Sequence, residues 1–304
     1  VSYWPVSSRL ETSLILYELT RQAYPDSYLR RLHLRMPWFV GLTDSDAFGR
    51  LEISNRLPAN SRKSAAIRFG PFRTREAAQL YEEQVLSLHQ LRRCTETLSP
   101  SPRHPGCIYG EMNQCLRPCQ AAVSPEEYAT ESARVSDFLA TAGKSALQSL
   151  TAARERAAAD LDFEQAALAH KRIEKVQAAN AARDSVVAAV NDFHGVAVTK
   201  ASEPDSVNIW PLFAGYWQPP LHLHLPQNQQ LQSQDARSLD AMLRLRLQSA
   251  LESPAAEGNR LEHIALFARW YYSSWRDGHW FTFETLHQLN YRRLVRSISD
   301  LLKP

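Results

Sequence analysis

Residues 9–24, "RLETSLILYELTRQAY", place Leu10, Leu14, Leu16 and Tyr17 at mixed helical spacing, and Pro25 stops the run. That pattern predicts a short, half-buried helix. Strand-length pieces follow at 38–42 ("WFVGL"), 49–54 ("GRLEIS") and 65–70 ("AAIRFG"), separated by Asp, Gly and Pro. Thr74 is placed to cap a helix that runs through "REAAQLYEEQVLSLHQLRR" into Cys94. "SPEE" at Ser124 to Glu127 has the form of a capping box with proline at the first helical position, so a helix is expected from there to about Gly143. From Ser145 to about Val190 nearly every residue is a helix former, interrupted at Leu161-Asp162-Phe163-Glu164. Asp162 can end one helix and cap the next, which predicts an antiparallel αα-hairpin over about 145–180. Such a hairpin sets Leu147, Leu150, Ala157 and Leu161 against Phe163, Ala166, Ala167, Ile173 and Val176.

The last third changes character. "HGVAVTKASEPDSVNIWPLF" reads as two strands about a Pro-Asp turn, and "LHLHL" (221–225) alternates with period two, as a half-buried strand does. "NQQLQSQ" (228–234) reads as a polar loop. Helices are expected at about 235–251, 259–276 and 286–302, with an Asp-Gly hairpin in "WRDGHWFTF" between the last two. The fold class is therefore helix-rich α+β in four segments. A mixed α/β region with short strands covers 1–73, a helix and cysteine-rich segment 74–122, a helical region with the hairpin 123–190, and a C-terminal α+β domain 191–304.

Length and composition narrow the classes. At 304 residues the chain is long enough for more than one core. With 44% apolar and 22% charged residues it reads as a soluble globular protein, and it has no apolar run of eighteen residues to span a membrane. "VSYWPVSSRLETS" shows no basic region followed by an apolar stretch, so the cytoplasm is the expected compartment, and a start at Val1 points to a fragment. The net charge of +3 hides an asymmetry: residues 1–119 carry 16 Lys+Arg against 11 Asp+Glu, the remainder 19 against 21. Fifteen of those sixteen cations are arginine, whose planar fork suits bidentate phosphate contacts. Arg68, Arg73, Arg75, Arg92, Arg93 and Arg117 are the candidate nucleic-acid contacts, the alternative being a solvated arginine-rich surface.

All four cysteines fall within residues 94–119, spaced Cys94-x12-Cys107-x7-Cys115-x3-Cys119 with Pro118 before the last. In a reducing compartment disulfides are disfavoured. Four thiolates at short range are what a tetrahedral zinc ion or an iron–sulfur cluster requires, and the spacing leaves both open. Pro100, Pro102, Pro105, Gly106, Gly110 and Pro118 bend or restrict the chain between them, and such a segment gains little order from apolar burial. Bound metal supplies that order on a scale of roughly 10 to 16 kcal/mol.

Four successive features resemble the bacterial excision-repair nuclease subunit UvrC. They are "IRFGPFRTREAAQLYEEQVLSLHQLRRC", "CIYGEMNQCLRPC", "SPEEYATESARVSDFLATAG" and "ARERAAADLDFEQAALAHKRIEKV", the last resembling the UVR motif. The resemblance spans about residues 9–190. It implies a 4Fe-4S cluster on Cys94, Cys107, Cys115 and Cys119, where zinc is the alternative. It also implies DNA as a partner, and a UvrB-like helicase subunit docking on Leu161, Phe163, Glu164, Ala166, Ala167 and Ile173.

The departures from that family bear on catalysis. The GIY and YIG strands are absent, so residues 1–73 correspond to a remnant of the family's first nuclease domain. Leu16 stands where the family has its catalytic glutamate, and Glu18 reaches that place only with a two-residue shift. In the C-terminal third Asp205 sits in a turn, and Asp235, Asp240, Asp277 and Asp300 form no pairing suited to two-metal chemistry. The expectation is a UvrC-like repair protein without an intact nuclease centre in this chain. The alternatives are an active endonuclease subunit whose catalytic part precedes Val1, and a zinc-stabilised interaction module. His222 and His224 are either two metal ligands on one strand face or the solvent side of a half-buried strand. "ARWYYSSWRDGHWF" is either an aromatic stacking platform or core.

Overall fold

Ser8 opens the first helix, α1 (Arg9–Ala23), by accepting the Glu11 N–H at 3.1 Å, and Tyr24 ends it one residue before the proline. A short α2 (Tyr28–Leu32) follows. The computed structural model describes residues 3–43, 47–58, 67–225, 233–252 and 259–303, and the side chains of 233–238 lie outside that description. The chain forms two units, one of residues up to 36 together with those from 191 onward, the other of residues 37–190. The segment 1–73 is thus divided at Met36. Its helices pack with the C-terminal third and its strands with the helical middle.

In the 37–190 unit, β1 (Trp38–Leu42), β2 (Leu51–Ser54), β3 (Arg68–Phe72) and the two-residue β4 (Ala188–Ala189) make an antiparallel sheet in the order β2-β1-β3-β4. Residues 65 and 66 of the expected third strand lie outside the described residues. Thr74 caps α3 (Arg75–Leu88) as its sequence predicts, through the Ala77 N–H at 3.2 Å. Helix α3 stops at His89, five residues short of Cys94, because His89 is extended and the backbone beyond it bonds elsewhere. The first thiol is therefore delivered by an extended segment, not by the helix. After a one-turn α4 (Ile108–Glu111), α5 (Pro125–Thr141) begins with the expected capping box between Ser124 and Glu127. Helices α6 (Lys144–Ala159) and α7 (Phe163–Ala181) form the hairpin. The core lies between the sheet and α3, α5 and α7, with Phe69, Phe72, Tyr81, Val85, Tyr128, Val135, Phe138 and Val176 buried.

The second unit has three layers. β5 (Gly195–Lys200), β6 (Ser206–Phe213), β7 (Tyr216–Trp217), β8 (Leu221–His224) and β9 (His279–Thr282) form an antiparallel sheet, with β7 and β8 both pairing with β6. One face, with Val196, Val198, Val207, Ile209 and Phe281, packs on α8 (Ser233–Glu252) and α10 (Tyr291–Leu302). The opposite face places Trp217 and Trp280 against α9 (Arg260–Tyr271), the Phe267 and Trp280 rings lying 4.5 Å apart. The aromatic stretch near residue 270 is core at Phe267 and Trp270. The loop expected at 228–234 lies largely outside the described residues, and its last two residues open α8. The expected helix at 286–302 starts with a separate 3-10 turn at Leu286–Gln288 and becomes α-helical at Tyr291.

Helix α1 is fastened to α9 through a buried carboxylate. Glu262 accepts the Tyr17 hydroxyl at 2.6 Å and the Tyr28 hydroxyl at 2.9 Å, with Tyr17, Leu34, Ala265 and Leu266 packed around them. The neighbouring His263 is buried and accepts the Trp217 N–H on Nδ1 at 3.0 Å, and burial pushes its pKa down to about 4. Unfolded, that imidazole takes its proton near pH 6.5, so stability should fall as pH drops from 6.5 to 4, by about 3 kcal/mol in total. Six of the seven tryptophans belong to this unit, so urea unfolding followed by tryptophan fluorescence reads the slope. His263→Gln, which can accept the same bond without titrating, should flatten it.

Candidate metal centre and hairpin surface

The four thiols belong to the 37–190 unit. Cys115 and Cys119 are buried, Cys94 is half-buried and Cys107 is exposed. Burial pushes the Cys115 thiol's pKa up, and the charges of Cys107, Cys94 and Cys119 add to that push. Cys119 is raised by burial and then by Cys107 and Cys94. The Cys115 and Cys119 sulfurs thus each lie within electrostatic reach of Cys94 and Cys107. Among the described residues no group of three or more His, Cys, Asp and Glu is closed tightly enough to hold one metal ion.

Backbone geometry favours anionic sulfur here. Arg117 is left-handed (φ 58°) and its N–H points to Cys115 Sγ at 3.4 Å. Amides of Cys119 and Gln120 act on the Cys119 sulfur in the same sense. Ala121, after the 3-10 turn Pro118–Gln120, is left-handed as well (φ 52°). The amides that follow close the turn on themselves, Gln120 and Ala122 N–H donating to the Arg117 carbonyl and Ala121 N–H to that of Pro118. Gly106 (φ 81°) turns the chain before Cys107.

The segment is moored by α3 and α5. Leu116 N–H donates to the Gln90 carbonyl at 3.0 Å, and Gln90 Nε2 to the Asn113 carbonyl at 2.8 Å. Glu131 accepts the Gln90 N–H at 2.9 Å, faces His89 Nδ1 at 3.4 Å and takes Arg134 at 3.1 Å. His89 is the main cause that holds the Glu131 carboxyl at about 2, with the Gln90 N–H and Arg134 assisting against burial. The buried Tyr128 hydroxyl accepts the Arg92 N–H at 2.9 Å and donates to the Gly49 carbonyl at 2.8 Å. A cavity of about 420 Å³ lined by Gln90, Arg117, Glu131 and Arg134 adjoins Cys115.

The hairpin turns through Asp160, a left-handed Leu161 (φ 60°) and Asp162, whose carboxylate caps α7 by accepting the Gln165 N–H at 3.0 Å. Leu161 and Phe163 are each 71% exposed, and Glu164 and Ala167 are exposed beside them. Phe163 therefore does not close its own hairpin. Ala166 is half-buried, and Ile173 is 5% exposed, which corrects its assignment as a partner contact: it is hairpin core.

The arginines divide into groups. Arg73, Arg75 and Arg117 are exposed. Arg68 is tied to Glu52 at 2.6 Å and to the Leu42 carbonyl at 2.9 Å. Arg93 lies over the Tyr109 ring and donates to the Leu86 carbonyl. Arg92 is a correction: it is 2% exposed and its guanidinium bonds the Phe48 and Glu96 carbonyls, out of reach of phosphate. Arg75, Arg92 and Arg93 line a cavity of about 380 Å³ together with Glu52, Glu82 and Glu83, so its charge is mixed. In the other unit, Glu18 pairs with Arg21 one helical turn on, at 2.9 Å, and Leu16 is exposed.

Residues 40–138 match the family model described as "UvrC/Cho excinuclease, middle domain". Over these residues the chain is similar to the UvrC family. The UvrABC system protein C of Alcanivorax borkumensis is 27% identical over 199 residues, which cover 63% of this chain and 32% of that protein. That of Brucella abortus strain 2308 is 34% identical over 175 residues, covering 55% and 27%. That of Oleidesulfovibrio alaskensis is 28% identical over 160 residues, covering 53% and 22%. The matches with this chain thus span about a third or less of the length of these UvrC relatives. No solved structure matches. The UvrC middle-domain match falls within the unit that holds the thiols and the hairpin.

Proposed function

We propose that this chain serves nucleotide excision repair as a UvrC-type protein that binds DNA and docks a UvrB-type partner on its hairpin, without an intact nuclease centre of its own. The observation that carries the docking is the outward presentation of Leu161 and Phe163, each 71% exposed at a capped turn. Apolar surface left in water costs about 25 cal/mol per Å², so a partner that covers both side chains gains that energy with an anchor already in place. A groove of about 260 Å³ along α6 and α7, lined by Leu150, Leu168 and Arg172, continues the surface. Phe163→Asp should lower capture of a UvrB-type partner on the order of 100-fold while leaving helix content unchanged. Equal capture would remove the reading.

In this reading Arg73, Arg75 and Arg117, which are exposed, contact phosphate. Replacing each by alanine should weaken DNA binding and lower the slope of affinity against salt by about one for every phosphate left without its arginine. An unchanged slope would exclude them. Cys94, Cys107, Cys115 and Cys119 are the residues that hold a 4Fe-4S cluster in this reading. The N–H groups aimed at Cys115 and Cys119 support it. When bound, such a cluster supplies local order and a one-electron centre. The residues of this chain orient the thiols through the Gln90, Tyr128 and Glu131 bonds.

A further inference from the structure

The sheet of the second unit carries a polar face that none of the roles above uses. Strands β6 and β8 pair Ser206 with His224 and Asn208 with His222. Ser206 and Asn208 are 2% and 7% exposed. Asn208 Nδ2 donates to Glu11 Oε1 at 3.3 Å, which leaves Asn208 Oδ1 to accept from His222 Nδ1 at 3.0 Å. Ser206 Oγ donates to the Pro204 carbonyl at 3.1 Å, so it accepts from His224 Nδ1 at 2.9 Å. These partners assign the same tautomer to both imidazoles: Nδ1 carries the proton and Nε2 keeps its lone pair. His222 Nε2 faces Glu203 Oε2 at 3.3 Å.

Two acceptors at that distance need a cation between them, either the proton of an imidazolium Nε2–H or a metal ion. Zinc bonds to imidazole nitrogen and carboxylate oxygen are about 2.0 to 2.2 Å, and two of them at a tetrahedral angle set the donor atoms about 3.4 Å apart. A ligating imidazole also characteristically donates its other N–H to an acceptor that fixes its orientation, as Asn208 does here. We propose that His222 and Glu203 bind a borderline divalent ion of the zinc type, with His224 the further donor on the same strand face and water in the remaining positions. Among the described residues no three such groups are already closed about one point, so His224 joins the set by a side-chain rotation that exchanges its Ser206 bond for the ion. The site ties the 201–205 turn to β8. It is separate from the thiols and does not depend on the repair reading.

Calorimetric titration of Zn²⁺ into the full chain at pH 8, where proton competition for imidazole is weak, tests the proposal. Wild-type protein should take up one more zinc than His222→Gln. Asn208→Leu, which keeps both imidazoles, should bind that zinc at least about 10-fold more weakly. Thermal unfolding in the absence of metal controls for folding, and the thiols are common to every variant. Equal zinc uptake and affinity in wild type and His222→Gln would overturn the site and leave a proton as the bridging cation.

Discussion

Cys119→Ala protein is expected to lose order over residues 94–122, with trypsin cleavage at Arg103 rising by at least about two orders of magnitude. The reason is that few apolar contacts hold this stretch beyond Leu98 and Leu116, which pack on the unit's core, and the buried Pro118. Its regular structure amounts to the four residues of α4 and one 3-10 turn. Ile108, Tyr109 and Met112 stand in solvent instead of contributing a core. The direct polar tethers, Leu116 to Gln90, Gln90 to Asn113 and Ser101 N–H to the Cys119 carbonyl at 3.0 Å, are worth about 1 kcal/mol each. A bound inorganic centre contributes on a scale of roughly 10 kcal/mol, so removing one buried ligand outweighs every other substitution in the segment. Unchanged digestion of the variant would mean that the tethers suffice.

The second large effect concerns Glu131, whose carboxylate is the hub beneath the same segment. Its folded pKa of about 2 lies below the ordinary 4.5. A depressed carboxylate contributes stability that is complete above the unfolded value and is lost as pH falls through the folded one. That window is pH 4.5 down to 2, and the shift corresponds to about 3 kcal/mol. The side chain is only 11% exposed, so solvent screening takes little from that figure. Glu131→Gln keeps the shape and an oxygen for the Gln90 N–H but removes the charge facing His89 and Arg134. Urea unfolding should show the variant less stable than wild type by about 2 to 3 kcal/mol at pH 7, the difference closing as pH approaches 2. A gap independent of pH would assign the loss to packing.

Local signals in the sequence carry well where one residue type fixes the geometry. Ser124-Pro125-Glu126-Glu127 and Thr74 cap the helices that they predict, and Asp162 places the hairpin turn within one residue. The cysteine spacing groups four thiols in one segment, where Cys115 and Cys119 are buried. Long-range pairings are not legible. Nothing in "RLETSLILYELT" announces that Tyr17 will meet Glu262, 245 positions away, so the sequence groups the first helix with the strands that follow it while the fold pairs it with α9. Helix formers at His89 to Arg93 predict more helix than forms, because Glu131, Tyr128 and Leu116 claim that backbone. Arg92 and Ile173 differ from the surface roles expected of them for the same reason. A motif position does not show which side of a helix or strand the rest of the chain will cover. Glu131 and Tyr128, the residues that moor the thiols, carry no sequence signal beyond helical spacing on α5.

Iron, acid-labile sulfide and zinc measured on the anaerobically purified chain test the central claim most directly. About four irons and four sulfides per chain and a brown protein are the expected result. Stoichiometric zinc with no sulfide, or neither metal, would contradict it.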